Sequence, residues 1–295
     1  SKKEAHVVYA LAPGEYILHE EQAPTEQGYV RAEDVKFVVE ETGDVQKVKM
    51  EDDHTKVSIS KTDITDGKEI EGAKLQILDQ DGEVVESWTT GEEHLIEYLP
   101  VGTYTLHEEA AVDGYIVAND VEFTVEETGE IQKVKMEDER AMGQLVIVKT
   151  DTDSKAALEG VEFVLLEKET GKEVGRLKTG KDGKAVSELL PIGTYENGVF
   201  KEPITYVLKE TATLKGYEKT EEEWEIVFTY QNDKTPVIEV VKEIQNKKIP
   251  ETPGTVKPGP KTGDDTNWFL PLLALGVSAG MVAGLLYYRK RHKKA

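Results

Sequence analysis

An internal repeat with a period of about 86 residues constrains the fold of this chain more than any other feature. The segment at residues 34–53, DVKFVVEETGDVQKVKMEDD, recurs with few changes at residues 120–139. A third, more divergent copy contains YVLKETATLKGY (206–217), which parallels YTLHEEAAVDGY (104–115). A period of this length is too long for the stacked units of a solenoid and suits whole domains in tandem. We therefore expect a row of similar domains.

Each copy consists of short segments of alternating polarity that are separated by Gly, Asp and Asn turns, a pattern typical of strands. In the second copy the pattern predicts seven strands, at residues 57–63, 73–79, 83–90, 94–99, 103–109, 121–127 and 131–138. Seven short strands at this spacing indicate a β-sandwich of the immunoglobulin-like class. We predict an incomplete first domain (1–53) that lacks its first strands, and two complete domains (54–140 and 141–248). The third copy also contains an inserted loop (196–205), to which the sequence assigns no role.

The C-terminal part of the chain has a different character. A linker rich in Pro and Gly (249–267) precedes 21 residues without a charge (268–288), and a basic tail (289–295) follows. A helix of that length spans about 30 Å, the hydrocarbon thickness of a bilayer, and a basic tail favours the cytoplasmic side. We expect one transmembrane helix, with everything before it outside the cell. Export requires a signal peptide and none opens the chain, so we expect the sequence to be the C-terminal part of a longer protein.

Composition excludes several classes of function. The formal net charge of −22 argues against a nucleic-acid partner. The absence of cysteine excludes disulfides and the cysteine-based zinc and protease motifs. Two pairs of aspartates, Asp63 with Asp66 and Asp151 with Asp153, are more typical of turns than of a calcium site. We predict no cofactor and no metal, and we find no hydrolase or nucleotide-binding signature.

Charged and amide side chains recur on strand faces that should be apolar. Strand side chains alternate between two faces, and in each copy a polar residue continues an apolar face. The residues concerned are Lys61, Glu108 and Asp138 in the second copy, Lys149, Glu210 and Asn246 in the third, and Glu20 and Asp52 in the first. The neighbouring Glu109 and Asp53 fall on the opposite face and are excluded. Lys242 shares the inward face with Asn246 and interrupts its apolar pattern.

These three residue types together suggest amide-bond chemistry. An unpaired buried charge is very costly, and the pKa of a buried group shifts toward its neutral form. A neutral lysine amine is a nucleophile, and a protonated glutamate donates a hydrogen bond to a carbonyl. A single inward lysine at a strand end would be better explained by its ammonium group reaching toward water. Recurrence of all three types at matching positions favours formation of an amide between Lys and Asp or Asn.

With these residues and the YVLKETATLKGY segment, the copies resemble the B-type repeats of collagen-adhesin-like surface proteins, also called Cna B-type or SpaA-type domains. The segment is similar to the E-box of Gram-positive pilins. The resemblance implies a prealbumin-like sandwich. It also implies that the lysine of each complete copy is joined to its Asp or Asn by a self-made isopeptide bond, with Glu108 or Glu210 as the catalyst. The first copy retains Glu20 and Asp52, and its lysine would precede residue 1.

The C-terminal segment resembles a sortase sorting signal. The family pattern is Leu-Pro-X-Thr-Gly; Gly259 stands at its first position, and the last four are matched by Pro260, Lys261, Thr262 and Gly263. The resemblance implies that sortase is a partner and that it cleaves after Thr262. It also implies an amide link from Thr262 to peptidoglycan, a location on the cell wall, and membrane contact only during biogenesis.

A wall-anchored stalk of rigid domains that displays an N-terminal region is the function favoured by these observations, and we do not expect an enzyme that turns over substrate. One alternative is an adhesin whose own domains bind a host matrix protein. Another is a pilin subunit, which would need a further linking lysine, usually in a Tyr-Pro-Lys-type motif that this sequence lacks. A third is the stalk of a surface enzyme with its catalytic domain outside this sequence.

Overall fold

The computed structural model describes residues 5–250, and strands dominate this part of the chain. The all-β prediction is confirmed: the one helical element among the described residues is a 3-10 turn, Thr25–Gln27. Between residues 5 and 250, none of the helical structure is long and apolar enough to cross a membrane. The predicted sorting motif, membrane span and basic tail lie outside the described residues.

The N-terminal segment forms two small antiparallel sheets. Its strands are β1 (Gly14–Leu18), β2 (Tyr29–Val30), β3 (Val35–Val39) and β4 (Asp53–His54). β1 pairs with β3, and β2 pairs with β4.

One prediction for this segment is wrong. The expected last strand of the first copy, with Val48, Met50 and Asp52 on one face, is not formed, and Asp52 is exposed. In both complete copies the corresponding strand pairs with the first strand of its own domain. Residues 5–13 contain no strand that takes this place. Backbone groups of an unpaired strand would lack hydrogen-bond partners, so the segment stays irregular.

The second copy folds into a sandwich of two four-stranded sheets, called the central sandwich below. Its strands are β5 (Lys56–Asp63), β6 (Lys74–Leu78), β7 (Val84–Thr89), β8 (His94–Glu97), β9 (Gly102–Ala110), β10 (Tyr115–Ile116), β11 (Val121–Val125) and β12 (Ile131–Arg140). One sheet has the strand order β10-β12-β5-β8, and the other has the order β11-β9-β6-β7. The seven predicted strands are all present, and the two-residue β10 is additional. The facing sheets bury a core that includes Val57, Ile59, Leu75, Ile77, Leu106 and Met136.

The third copy repeats this arrangement and is called the third sandwich. Its strands are β13 (Met142–Asp151), β14 (Glu162–Glu167), β15 (Glu173–Lys178), β16 (Lys184–Val186), β17 (Leu190–Pro191), β18 (Gly193–Glu196), β19 (Val199–Pro203), β20 (Thr205–Ala212), β21 (Glu223–Val227) and β22 (Val237–Asn246). One sheet has the order β15-β14-β20-β21; in the other, β13 pairs with β16, β17 and β22. The inserted loop forms part of a separate hairpin, β18–β19.

Each sandwich joins its first and last strands as a parallel pair. β5 pairs with β12, and β13 pairs with β22. The register is the same in both: Lys61 lies opposite Met136, and Lys149 lies opposite Ile244. The Asp or Asn therefore lies two residues beyond the position on the neighbouring strand that is directly opposite the lysine. Strand alternation points both side chains into the same sandwich interior.

Candidate functional site

The central sandwich brings Lys61, Glu108 and Asp138 together in its interior. Lys61 and Asp138 come from the neighbouring strands β5 and β12, and Glu108 comes from β9 in the facing sheet. Lys61 Nζ donates a hydrogen bond to Asp138 Oδ1, and it lies 2.9 Å from Glu108 Oε2. Lys61 is only 1% exposed, and Asp138 is fully buried. The structure thus places all three side chains on the core face, as the strand alternation predicts.

A β-bulge follows the glutamate directly. Lys74 pairs with Ala110, whereas the next residue of β6, Leu75, pairs with Glu108, so Glu109 is the extra residue of the bulge. Glu109 is exposed and Glu108 is buried. Glu108 continues the inward alternation of β9, and the bulge changes that alternation only beyond it. The third sandwich has the same irregularity at Glu210, so the feature is shared by both sites.

The electrostatics of the central site favour a neutral Asp138 carboxyl. Burial is the main factor that raises the pKa of Asp138, and the negative charge of Glu108 raises it further, against the opposing effect of Lys61. Glu108 Oε2 also accepts a hydrogen bond from the Ala118 backbone N–H at 2.6 Å. Glu108 Oε1 and Asp138 Oδ2 are buried and have no hydrogen-bond partner elsewhere in the described chain. The pKa of Asp138 is therefore shifted toward the neutral carboxyl that a nucleophile can attack.

The third sandwich contains the matching trio, Lys149, Glu210 and Asn246. Lys149 Nζ donates to Asn246 Oδ1 at 2.6 Å and to Glu210 Oε2 at 2.8 Å. Asn246 Nδ2 in turn donates to Glu210 Oε1 at 2.7 Å. Glu210 therefore contacts the lysine with one oxygen and the amide nitrogen with the other. The three side chains form a closed ring of hydrogen bonds.

Burial lowers the pKa of Lys149, although its hydrogen bond to Glu210 opposes the shift. The lysine side chain is fully buried, so a neutral amine is favoured relative to a lysine in water. Lys242, which interrupts the inward pattern of β22, is partly buried with its Nζ 5.8 Å from the centroid of the Trp224 ring. Its stacking on that ring explains how a lysine occupies the inward face without displacing Asn246 from the core.

The first copy brings only part of this arrangement together. Glu20 Oε2 accepts a hydrogen bond from the Ala32 backbone N–H at 2.7 Å, as Glu108 does from Ala118. Asp52 is exposed on the whole. Desolvation of the small covered part of its carboxyl group, and then the negative charge of Glu20, raise its pKa. Among residues 5–53, no lysine forms an ion pair with either carboxylate in the structure. The described residues of the first copy therefore lack a complete trio.

Two polar contacts at the sites were not anticipated from the sequence. The Ala118 N–H bond to Glu108 is a backbone contact and has no signature in residue type. The hydroxyl of Thr213 accepts a hydrogen bond from Asn246 Nδ2 at 2.7 Å. The sequence did contain a clue to this contact: three residues after the glutamate, the third copy has the polar Thr213 where the second copy has Ala111.

The aspartate pairs serve turns and ion pairs in the structure. Asp63 accepts hydrogen bonds from the Tyr115 hydroxyl at 2.7 Å and from Arg140 Nε at 2.6 Å. Asp151 accepts hydrogen bonds from the backbone N–H groups of Asp153 and Ser154. Across residues 5–250, no group of three His, Cys, Asp or Glu side chains is placed to hold a metal ion.

Comparison with protein families bears directly on the fold. Residues 55–140 and 143–203 match the family model described as the SpaA prealbumin-like fold domain. The central sandwich and the first part of the third sandwich therefore have the SpaA-type prealbumin-like fold. Among curated proteins, none matches the chain.

Solved structures also resemble these SpaA-type domains. The Bacillus anthracis TIE protein is 30% identical with a TM-score of 0.51, over 81% of this chain and 43% of that one. A streptococcal ancillary pilin is 19% identical over 82% of this chain and 77% of its own, with a TM-score of 0.31. The shaft pilin SpaA from Lactobacillus rhamnosus GG is 14% identical over 68% and 99%, with a TM-score of 0.28. The chain thus spans less than half the length of the TIE protein.

Proposed function

We propose that this chain is part of a cell-surface stalk whose SpaA-type domains are locked by internal isopeptide bonds. The observation that carries the proposal is the repetition of one buried arrangement in two domains. In both, a lysine on the first strand contacts an Asp or Asn on the last strand, and a glutamate from the facing sheet contacts the lysine. Buried ion pairs contribute little net stability compared with apolar packing, so stability alone does not account for keeping this trio twice.

In the central sandwich the reaction is a condensation that releases water. A proton moves from the Lys61 ammonium group to Glu108, which leaves a neutral amine beside the protonated carboxyl of Asp138. The amine nitrogen attacks Asp138 Cγ, and a carboxyl oxygen leaves as water after it receives a proton from Glu108. Glu108 then recovers a proton from the attacking nitrogen. One C–N bond forms, one C–O bond breaks, and Glu108 ends the reaction protonated, as it was at the moment of attack.

In the third sandwich the same sequence releases ammonia. Glu210 contacts Lys149 Nζ through Oε2 and Asn246 Nδ2 through Oε1. It is therefore placed to take a proton from the attacking nitrogen and to give one to the departing nitrogen. The C–N bond of the Asn246 carboxamide breaks as the new C–N bond to Lys149 forms. Both reactions occur once per domain, so the proposed chemistry is a maturation step and involves no turnover of substrate.

The position of the proposed bonds suits a load-bearing role. A load that enters at the start of β5 and leaves at the end of β12 shears the parallel ladder between them. A covalent bond from Lys61 to Asp138 would carry this load directly between the two strands. Residues 62–137, which contain most of the sandwich, would then lie outside the load path. The third sandwich offers the same path through β13 and β22.

We further propose that sortase anchors the stalk to peptidoglycan through Thr262. The Pro-Lys-Thr-Gly sequence ahead of an uncharged stretch and a basic tail supports this proposal. Sortase and the cell wall are then its partners, and the membrane holds the chain only before sorting. If wall extracts instead contained a ladder of covalent multimers, the chain would be a polymerising pilin.

Mass spectrometry of the purified chain tests the central proposal. The intact mass should fall below the sequence mass by one water and one ammonia. Peptide mapping should recover two branched peptides, one joining Lys61 to Asp138 and the other joining Lys149 to Asn246. An intact mass equal to the sequence mass would overturn the proposal, because the two trios would then be only buried polar networks.

A further inference from the structure

The contacts of Asn246 assign a specific task to Thr213. Both hydrogens of Asn246 Nδ2 are used: one is donated to Glu210 Oε1 and the other to Thr213 Oγ1, each at 2.7 Å. The carboxamide oxygen is thereby directed to Lys149 Nζ, 2.6 Å away. A carboxamide has two nearly isosteric orientations that exchange its oxygen and its nitrogen. Only the observed orientation places the departing nitrogen against the proton donor.

We propose that Thr213 is a positioning residue for isopeptide formation in the third sandwich, an inference that rests on the proposed function. Lys149 and Glu210 distinguish the oxygen end of the carboxamide from its nitrogen end. Thr213 accepts the remaining N–H hydrogen bond and so holds the plane of the carboxamide in the productive position. The central sandwich has Ala111 at the corresponding position. Its electrophile, Asp138, is a carboxyl group without N–H hydrogens, so it has no amide donor for a hydroxyl at this position to hold.

Substitution of Thr213 by Val or Ser tests this task, since valine keeps the shape and serine keeps the hydroxyl. The full chain is synthesised in a cell-free reaction, and both cross-links are followed over time by peptide mapping. Thr213→Val should lower the rate at which the third-sandwich bond forms about tenfold, as expected for the loss of one hydrogen bond. Thr213→Ser should retain the rate. The Lys61–Asp138 bond in the same molecule is the internal reference and should be unchanged.

A second background separates positioning from a merely structural effect. In Asn246→Asp the electrophile is a carboxyl group, so Thr213→Val should no longer slow the reaction. Equal slowing in both backgrounds, or none in the native one, would overturn the role of Thr213. A wild-type chain without the third-sandwich bond would overturn the proposed function as well, so the two failures are distinguishable.

An independent inference concerns the inserted loop. Residues 196–205 supply the tip and second strand of the hairpin β18–β19. Its two turn residues, Asn197 and Gly198, have φ angles of 51° and 69°, the combination favoured in tight two-residue hairpins. The tip lies on the central sandwich, because a Cβ atom at Gly198 would come within 2.8 Å of the Ile70 Cα. The hairpin of one domain therefore contacts the backbone of its neighbour.

Aromatic and charged groups extend this contact. The Tyr195 hydroxyl donates to the Gly114 carbonyl oxygen at 2.9 Å, and the Tyr195 ring meets the Tyr115 ring edge-on at 5.2 Å. The Arg140 guanidinium lies 4.1 Å from the centroid of the Tyr195 ring and donates to Asp63. A cation over an aromatic face is an attractive contact. Both sides of the joint thus contribute to one cluster.

We infer that the β18–β19 hairpin is a clamp that fixes the orientation of the third sandwich on the central one. Only Ala141 separates β12 from β13, and it is fully buried. A connection this short limits the distance between the two domains, but the angle between them depends on contacts between their surfaces. The hairpin supplies contacts at a distance from that connection. The pair of domains then behaves as one stiff unit.

Two glycine substitutions give a matched test of the clamp. Gly198 and Gly171 are both turn glycines of the third sandwich with φ near 70°, but a Cβ at Gly171 meets nothing within 4 Å. Gly198→Ala and Gly171→Ala therefore introduce similar local strain, and only the first disturbs the joint. Because the chain has no cysteine, Glu83→Cys and Lys172→Cys place one spin label on each sandwich.

The distribution of distances between the two labels is measured by pulsed electron paramagnetic resonance on the full chain. The parent chain and Gly171→Ala should give a narrow distribution, and Gly198→Ala should broaden it. A broad distribution in the parent chain, or the same width in all three, would overturn the clamp. The measurement does not depend on the isopeptide bonds, so its result stands apart from the proposed chemistry.

Discussion

Replacement of Glu108 by glutamine removes the proposed proton carrier and preserves the shape of the site. The glutamine oxygen can accept the Ala118 N–H bond that Glu108 Oε2 accepts now. Its amide nitrogen can donate toward Asp138 Oδ2, which is buried and has no partner elsewhere in the described residues. An amide cannot shuttle a proton between Lys61 and the departing oxygen. We expect Glu108→Gln to fold without the central cross-link.

The expected loss of stability follows from the loop that the bond closes. Lys61 and Asp138 are 77 residues apart in the sequence. A cross-link over such a loop lowers the entropy of the unfolded chain by about 15 cal/mol/K, or about 4.5 kcal/mol at room temperature. A domain of this size shifts its melting temperature by about 4–8 °C per kcal/mol. The central sandwich should therefore melt roughly 20–35 °C lower in the variant.

Intact-mass measurement and scanning calorimetry on the same samples provide the assay. Glu108→Gln should be heavier than the parent by one water molecule less the single mass unit that the Glu-to-Gln change removes, and the calorimetric transition of the central sandwich should move down. Glu109→Gln is the matched control: the same chemical change, one residue along β9, on an exposed side chain. The third sandwich, with its own trio, is a reference within the molecule.

Any of three results would contradict the proposed role of Glu108. If the variant kept the branched peptide of Lys61 and Asp138, Glu108 would not be required. If the variant lost the bond without a change in melting temperature, the cross-link would contribute nothing to stability. If the exposed control melted as low as Glu108→Gln, the effect would reflect lost charge on the strand.

Further predictions concern other positions. Burial raises the pKa of Asp138 to about 7, so its reactive neutral form declines as the pH rises through that value. When chain that was kept unfolded in urea, and is therefore not cross-linked, is refolded at increasing pH, the central cross-link should form more slowly. The third-sandwich electrophile, Asn246, does not titrate, so its reaction should not show this loss. Gly143→Ala should destabilise the third sandwich by about 1–3 kcal/mol in denaturant unfolding, because a Cβ there overlaps the buried Phe228 ring. Protein released from cell walls should end at Thr262, and recovery of the apolar segment beyond it would contradict anchoring by sortase.

Local alternation was sufficient to predict most of the fold and the inward residues of the sites. Because side chains alternate with a period of two, the sequence around Glu108 already separates it from the outward Glu109. The repeat likewise predicted that the third sandwich carries an equivalent trio. Alternation failed at Asp52, where the strand requires a partner that residues 5–13 do not provide.

The tandem β architecture, and the core-facing positions of the lysine, glutamate and Asp or Asn in both complete domains, follow from the chain alone, because face and repeat are properties of neighbouring residues. Strand pairing and register are set only when the whole sheets assemble. The offset of two residues that brings Lys61 to Asp138 depends on strands far apart in the chain. The contacts of Thr213 with Asn246, and of Gly198 with the central sandwich, likewise join segments whose approach is set by packing of whole sheets.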